Sequence, residues 1–323
     1  LINHTWVVGD PPTGVLQWVN PIFSPEIHRD IALVTGHLSS HGIPTPCLLP
    51  TLTGELYWVD QDGCWRLQSF VPGSTHHAFS SSAQAASAAS LVGRFHAALT
   101  TLNHDFPHQR KHAHDTPSHM ANLRETLDSA DGHPLEGPAR ALGQEILSVW
   151  ETWDGPLDLP ERICHGDLKV SNIRMDPTGQ TALCLLDLDT LGRLPYSVEL
   201  GDAWRSWCNP APEDDFLAVR FDMEIFTATA QAWLAHAPAI TKLELGSLVP
   251  GVERICLELA ARFCADAVAN CYFREDTSRF PQPGTQNLAK AKTQRALAAA
   301  ARSHRSACEA VVQSGAQGRP IPG

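Results

Sequence analysis

The sequence predicts an α+β protein: a small antiparallel sheet with one helix over residues 1–72, a larger and mainly helical part over 73–311, and a flexible tail at 312–323. Three observations point that way. Short apolar or alternating runs, separated by turn residues, crowd the first 72 positions, which is the period and punctuation of strands. Pro72-Gly73-Ser74-Thr75 then interrupts the chain. Long Ala- and Leu-rich stretches with helical spacing come after it.

The first two runs are Thr5 to Val8 and Gly14 to Val19, parted by Gly9-Asp10-Pro11-Pro12. Glu55 to Val59 and Cys64 to Val71 form the pattern of a hairpin closed over Asp60-Gln61-Asp62-Gly63. Between these pairs, residues 25–40 put Ile27, Ile31, Val34 and Leu38 on one helical face, and Gly42 and Pro44 stop the helix. Further helices are predicted over 82–102, with Leu91, Phe95 and Leu99 on one face, and over 136–153, 216–236, 252–272 and 286–311. Residues 103–117 hold His104, His108, His112 and His114 between prolines. Without a Cys or carboxylate in ligand spacing they predict a solvated loop or helix end rather than a metal site. No internal repeat is visible.

With 24 Lys plus Arg against 35 Asp plus Glu, the formal charge is −11, and there is no basic run. Binding to a nucleic-acid backbone is therefore not expected, because that affinity comes from clustered cations. No stretch of about 18 apolar residues is long enough to span a bilayer, and no charged segment leads into an apolar one to mark secretion, so the cytoplasm is the expected location and no membrane partner is expected. The nine cysteines include no C-x-x-C pair and are expected to be reduced thiols. Basic residues are unevenly placed: the lysines are Lys111, Lys169, Lys242, Lys290 and Lys292, so the first 110 residues have only Arg29, Arg66, Arg94 and Arg110 as fixed cations.

One stretch differs from its helical surroundings: Ile163-Cys164-His165-Gly166-Asp167-Leu168-Lys169-Val170-Ser171-Asn172-Ile173, followed by Leu183-Cys184-Leu185-Leu186-Asp187-Leu188-Asp189. It offers a carboxylate, a cation two residues on and an amide five residues on, then an acidic pair at the end of an apolar strand. Phosphoryl transfer requires these groups: a carboxylate to orient and deprotonate a hydroxyl, oxygen ligands for a divalent ion, and a cation to offset charge on the moving group. Asp167 suits the first role, Asn172 and Asp187 the metal, and Lys169 the γ-phosphate. A chance His-x-Asp-x-Lys-x-x-Asn in a chain of this length has odds on the order of one in a thousand. His165 is expected to hold the loop rather than act as acid or base, and Asp189 to be either a second metal neighbour or a hydrogen-bond acceptor.

The run His165 to Asn172 resembles the catalytic loop of the protein-kinase superfamily. Its His-Gly-Asp is similar to the aminoglycoside phosphotransferase and choline kinase branch, with Asp187-Leu188-Asp189 in place of Asp-Phe-Gly. The run Leu186 to Thr190, together with Glu199-Leu200-Gly201-Asp202-Ala203-Trp204-Arg205 and Cys208-Asn209, resembles the N-acetylhexosamine 1-kinase group. So do Ile2-Asn3-His4-Thr5-Trp6, Val15 to Asn20, and Asn287-Leu288-Ala289-Lys290-Ala291-Lys292. The resemblance covers nearly the whole chain.

It implies a bilobal protein-kinase-like fold, the N-lobe at 1–72 lacking its first strand, with ATP and Mg2+ as cofactors and a small-molecule hydroxyl acceptor, a sugar, as partner. Asn3 and Thr5 would donate to phosphate oxygens. Gln68 to Gly73 would be the hinge, with Gln68 and Val71 near the adenine. Asp202 would accept hydrogen bonds from the catalytic loop, and Arg262 and Tyr272 fall near the sugar-binding positions. One departure stands out: the strand lysine that grips the α- and β-phosphates and pairs with a helix Glu is absent, and the corresponding strand has Leu16-Gln17-Trp18-Val19. Gln17, an arginine from elsewhere or the loop backbone would take its place, and Glu26 is the nearest helix carboxylate. Two other readings stay open: a kinase of an amino alcohol or aminoglycoside, favoured by Glu213-Asp214-Asp215, and a nucleotide-binding module without chemistry.

Overall fold

The computed structural model describes residues 3–110 and 113–317; Ile2, Lys111, His112 and the end of the tail lie outside them. In chain order the elements are β1 (His4–Val8), β2 (Gly14–Val19), α1 (Ile27–Ser40), β3 (Leu48–Leu49), β4 (Trp58–Asp60), β5 (Gly63–Ser69), α2 (Ser82–Leu99), α3 (Thr116–Asp128), α4 (Glu136–Glu151), β6 (Arg162–Cys164), β7 (Ile173–Met175), β8 (Ala182–Leu185), β9 (Gly192–Leu194), α5 (Tyr196–Trp207), α6 (Met223–His236), α7 (Lys242–Ala269), α8 (Thr285–Ser303) and α9 (Arg305–Gly315). They form two compact units. The first comprises 1–111, 161–194 and 228–239, and the second 112–160, 195–227 and 240–323.

In the first unit β1, β2 and β5 are successive antiparallel neighbours, and β3 and β4 both pair with β5. The register sets Gln17 opposite both Thr5 and Arg66. Side chains alternate along a strand, so Thr5, Gln17 and Arg66 share one face of the sheet. Helix α1 buries Ile27, Ile31, Val34 and Leu38, the stripe that its spacing predicts. Ser81 caps α2 by accepting a hydrogen bond from the Gln84 N–H at 3.2 Å. After the sheet, Ser74 and Met175 exchange backbone hydrogen bonds of 3.0 and 2.8 Å, which stitches the segment following β5 to the β7–β8 hairpin. Two further short antiparallel pairs, β6–β9 and β7–β8, carry the polar loops of the catalytic-loop stretch.

The second unit is helical, and α7 packs against α3, α4, α5, α8 and α9. Several boundaries differ from expectation for identifiable reasons. Residues 216–222 precede α6 because Asp222 acts as its cap, accepting from the N–H groups of Glu224 and Ile225, each at 3.1 Å. Helix α7 starts before Pro250, at a Thr241–Glu244 capping box, so the proline lies within the helix instead of preceding it. The predicted final helix is two, α8 and α9, divided at His304. Helix α3 begins at the end of the histidine- and proline-rich stretch expected to be a solvated loop or helix end; Asp115 caps it and Pro117 occupies its first turn, where a missing N–H costs nothing. Helix α5 buries Tyr196 through Trp204 without a break, Glu199 and Asp202 included.

The histidine run does not act as one group: His104 Nε2 lies 2.6 Å from Asp30 Oδ1 in the first unit, and His114 Nδ1 lies 3.0 Å from the buried Glu258 in the second. No described helix is long and apolar enough to cross a membrane. The nine cysteines are thiols outside any disulfide.

Helices α5 and α7 approach so closely that a Cβ on Gly251 would run into the Ser197 carbonyl, and one on Gly201 would lie 2.5 Å from the Gly251 oxygen. Both sites are helical, so the demand is for space rather than for an unusual backbone. Gly251→Ala is expected to lower unfolding free energy by roughly 1–3 kcal/mol through overpacking, measured by chemical denaturation. Gly246→Ala, on the same helix with nothing within 4 Å of its Cβ position, is the control, expected to gain only the roughly 0.5–1 kcal/mol of helix propensity.

Candidate active site

The loop between β6 and β7 is shaped by His165 and Gly166. His165 is fully buried; its Nδ1 accepts the Asp167 N–H at 3.2 Å and its Nε2 lies 2.8 Å from the Leu186 carbonyl oxygen. A carbonyl can only accept, so the proton sits on Nε2 and the ring is a brace between two loops. Gly166 has φ +82, and a Cβ there would lie 2.5 Å from the Thr190 carbonyl oxygen, so the position requires glycine on both counts. Thr190 Oγ1 donates to the His165 carbonyl at 2.8 Å, and the Leu186 N–H donates to the Asn172 carbonyl at 2.8 Å. The catalytic-loop stretch and the Asp187 turn are thereby fastened together at three points.

On this frame Lys169 Nζ lies 2.7 Å from Asp167 Oδ2. The Asn172 side-chain amide donates to the Asp167 carbonyl and carboxylate oxygens, both at 2.9 Å. That orientation commits the Asn172 nitrogen to Asp167 and leaves its oxygen as the atom that could meet a metal. Asp187 comes after β8 in a left-handed conformation, φ 59 and ψ 62, which a residue with a Cβ adopts at some energetic cost. Burial pushes its carboxyl up to about 6, and the charges of Asp189 and Asp167 add to the effect against the opposing pull of Lys169 and Arg66. An oxygen-only donor set containing a carboxylate with too little positive charge around it fits a hard divalent cation.

Asp189 is already engaged. The guanidinium of Arg66 on β5 grips both its oxygens, the second at 3.0 Å, and Asn3 Nδ2 donates to it at 2.7 Å. Both side chains of the ion pair are 1% exposed. Arg66 Nε donates to Gln17 Oε1 at 2.8 Å, and Gln17 Nε2 donates to Thr5 Oγ1 at 3.0 Å. Asn3 is held at its other end as well, its oxygen accepting the Asn20 N–H at 2.9 Å. Asn3 is thus a buried link to Asp189, whereas Thr5 is exposed on β1. Glu26 does not join this network: it receives the Tyr57 hydroxyl at 2.8 Å and pairs with Arg29 at 2.7 Å.

Gln68 and Val71 are half-buried at the end of β5 and just beyond it. Arg174 Nε donates to the Val71 carbonyl at 2.9 Å, and its guanidinium lies 5.3 Å from the Phe70 ring centre. In the second unit, Arg262 and Tyr272 are brought together, with the guanidinium 5.7 Å from the Tyr272 ring centre and 5.6 Å from that of Phe273. Asp266 presents that loop by accepting the N–H groups of Cys271, Tyr272 and Phe273 at 2.8–3.0 Å. The acidic run is matched by cations of the same unit: Asp214 by Arg279 at 3.0 Å, and Glu213 by Arg205 and Lys290 at 3.9 and 4.0 Å. Asp202 pairs with Arg205 at 2.8 Å.

A kinase-like sheet and a braced Asp-x-Lys-x-x-Asn loop beside a buried aspartate together define a phosphoryl-transfer enzyme. Residues 1–238 match the model described as the phosphotransferase enzyme family, APH, and the chain belongs to that family. Solved structures with the same protein-kinase-like fold include an aminoglycoside phosphotransferase from Alicyclobacillus acidocaldarius subsp. acidocaldarius DSM 446, with 16% identity and TM-score 0.57, covering 95% of this chain and 91% of that one. The amicoumacin kinase hAmiN, solved with AMP-PNP, Ca2+ and Ami, has 13% identity and TM-score 0.59 over 91% of this chain and 85% of its own. A choline/ethanolamine kinase family protein from Mesorhizobium loti has 15% identity and TM-score 0.53 over 97% and 90%.

The raised Asp187 carboxyl has a measurable consequence. Folding keeps a proton on it up to about 6 where the ordinary value is 3.8, so stability falls as pH rises through that interval and the cost is fully expressed above it. Metal-free Asp187→Asn is therefore expected to be more stable than the parent by roughly 1–3 kcal/mol at pH 7–8. The advantage should vanish near pH 4, as measured by denaturant titration at both values in the presence of a chelator.

Proposed function

We propose that this phosphotransferase is an ATP-dependent kinase of a small-molecule hydroxyl, acting on the anomeric hydroxyl of an N-acetylhexosamine or a related hexose. The observation that carries the phosphoryl-transfer part is the Asp167 cluster, where one carboxylate is held by the Lys169 ammonium at 2.7 Å and the Asn172 amide at 2.9 Å. Asp167 would orient the acceptor hydroxyl and receive its proton as the oxygen attacks. Lys169 would follow the transferred group and offset its charge. Asn172 and Asp187 would hold a divalent cation, Mg2+ in this reading, which when bound to the triphosphate neutralises its charge. Thr5, whose hydroxyl accepts from Gln17 and so has its proton to give, would donate to a phosphate oxygen. Gln68 and Val71 would lie by the adenine, and Arg262 and Tyr272 would engage the sugar. The resemblance of Glu199 to Arg205 and Asn287 to Lys292 to the N-acetylhexosamine 1-kinases supports that acceptor.

The matched charges in the acidic run favour a neutral acceptor over a cationic one. Asp214 and Glu213 already face Arg279, Arg205 and Lys290, so two of the three carboxylates of that run are already engaged by cations. The test is ADP release with Mg-ATP over hexoses, amino sugars, aminoglycosides, choline and homoserine. Turnover of free N-acetylhexosamines that disappears with their 1-O-methyl glycosides is the expected outcome; turnover of choline or an aminoglycoside alone would refute the sugar assignment. Asp167→Asn is expected to lower kcat by about 10²–10⁴-fold with an unchanged circular dichroism spectrum, and near-normal turnover of the folded variant would remove Asp167 from its role.

A further inference from the structure

The first 110 residues have no lysine, and the place where a strand cation would stand is filled from the neighbouring strand. Arg66 on β5 points to the same sheet face as Gln17 on β2 and Thr5 on β1. All three of its nitrogens are engaged, Nε with Gln17 and the two terminal groups with Asp189. A guanidinium fork on a carboxylate fixes direction as well as distance. The side chain is only 1% exposed, which places it behind the reacting groups instead of among them. Glu26, at the N-cap of α1, is occupied by Tyr57 and Arg29, and Asp30 within the helix meets His104. Asp189 has taken that role, two residues beyond Asp187.

We infer that Arg66 is a positioning residue that replaces the strand lysine and helix glutamate by clamping Asp189 to the sheet, so that the β1–β2 hairpin and the Asp187 turn are held in one register. The chain of contacts is continuous: Thr5 to Gln17, Gln17 to Arg66, Arg66 to Asp189, and Asp189 back to Asn3 at the start of β1. Asp189 is a structural anion in this arrangement and Asp187 the ligand. The catalytic consequence rests on the kinase function proposed above, whereas the mechanical coupling does not.

The test pairs backbone hydrogen exchange of the nucleotide-free protein, over 4–8 and 188–191, with kcat and the KM for ATP of the same variants. Arg66→Met and Asp189→Asn are expected to raise exchange in both segments, and to lower kcat about 10–100-fold, as a misplaced reactive group does. Arg66→Lys is expected to recover part of kcat but not the protection, because a single ammonium cannot reproduce the fork. The double variant Arg66→Met/Asp189→Asn should be no worse than the poorer single one. If Arg66→Met does not fold, Gln17→Leu decides with Arg66→Lys: it should loosen 4–8 while leaving 188–191 protected. Unchanged exchange over 4–8 in Asp189→Asn would overturn the coupling. So would an Arg66→Met protein with native exchange whose defect lies wholly in the KM for ATP, since that would make Arg66 a direct nucleotide contact. A parent protein that releases no ADP with any acceptor would end the kinase proposal while the exchange result stood on its own.

Discussion

Three aspartates crowded onto two adjacent loops repel one another, and the first unit is arranged around that constraint. Each has a different answer. Asp167 is matched by Lys169 and the Asn172 amide, and Asp189 by the Arg66 fork and Asn3. Asp187 has no such direct cationic partner among the described residues, and burial together with its anionic neighbours drives its carboxyl up. The repulsion left over is the reason the site suits a cation. A carboxylate that is costly to bury would gain most from a divalent ion, so the instability of this site and the metal affinity proposed for it would have the same origin.

Neutral groups do the bracing because further charge would upset this balance. His165 is held as a neutral imidazole by one backbone N–H and one backbone carbonyl, and the Leu186 N–H and Thr190 hydroxyl complete the join. Such buried hydrogen bonds contribute about 1 kcal/mol each to stability. Their greater effect is geometric: they determine where Asp167 and Asp187 can be, and a catalytic group displaced by about 1 Å can lose most of its advantage.

Much of this is legible from residue order. The stripe Ile27, Ile31, Val34, Leu38 and the Asp60–Gly63 hairpin arise from period and turn chemistry, and both occur as expected. The Asp167, Lys169, Asn172 cluster is local in sequence, so its spacing survives folding almost unchanged. Contacts that depend on long-range register are not legible in this way. Arg66 and Asp189 are 123 positions apart, and nothing near either residue marks it as the partner of the other; only the lack of lysine hints that an arginine must substitute. Helix α3 is masked because Pro117 reads as a stop signal yet also suits a first helical turn.

The same distinction separates reaction from acceptor. Phosphoryl transfer needs a few charged groups on short loops, and their spacing is written in one stretch of chain. The acceptor site proposed above would draw on side chains far along the chain from that stretch, Arg262 on α7 and the Tyr272 ring that Asp266 presents in the loop after it. Their chemistry, a planar cation beside an aromatic face, suits a ring bearing hydroxyls and amides, but it does not by itself demand one sugar. Proteins of this fold at 13–16% identity include phosphotransferases and kinases named for quite different acceptors. Such divergence is expected where one fold hosts many functions through different sites.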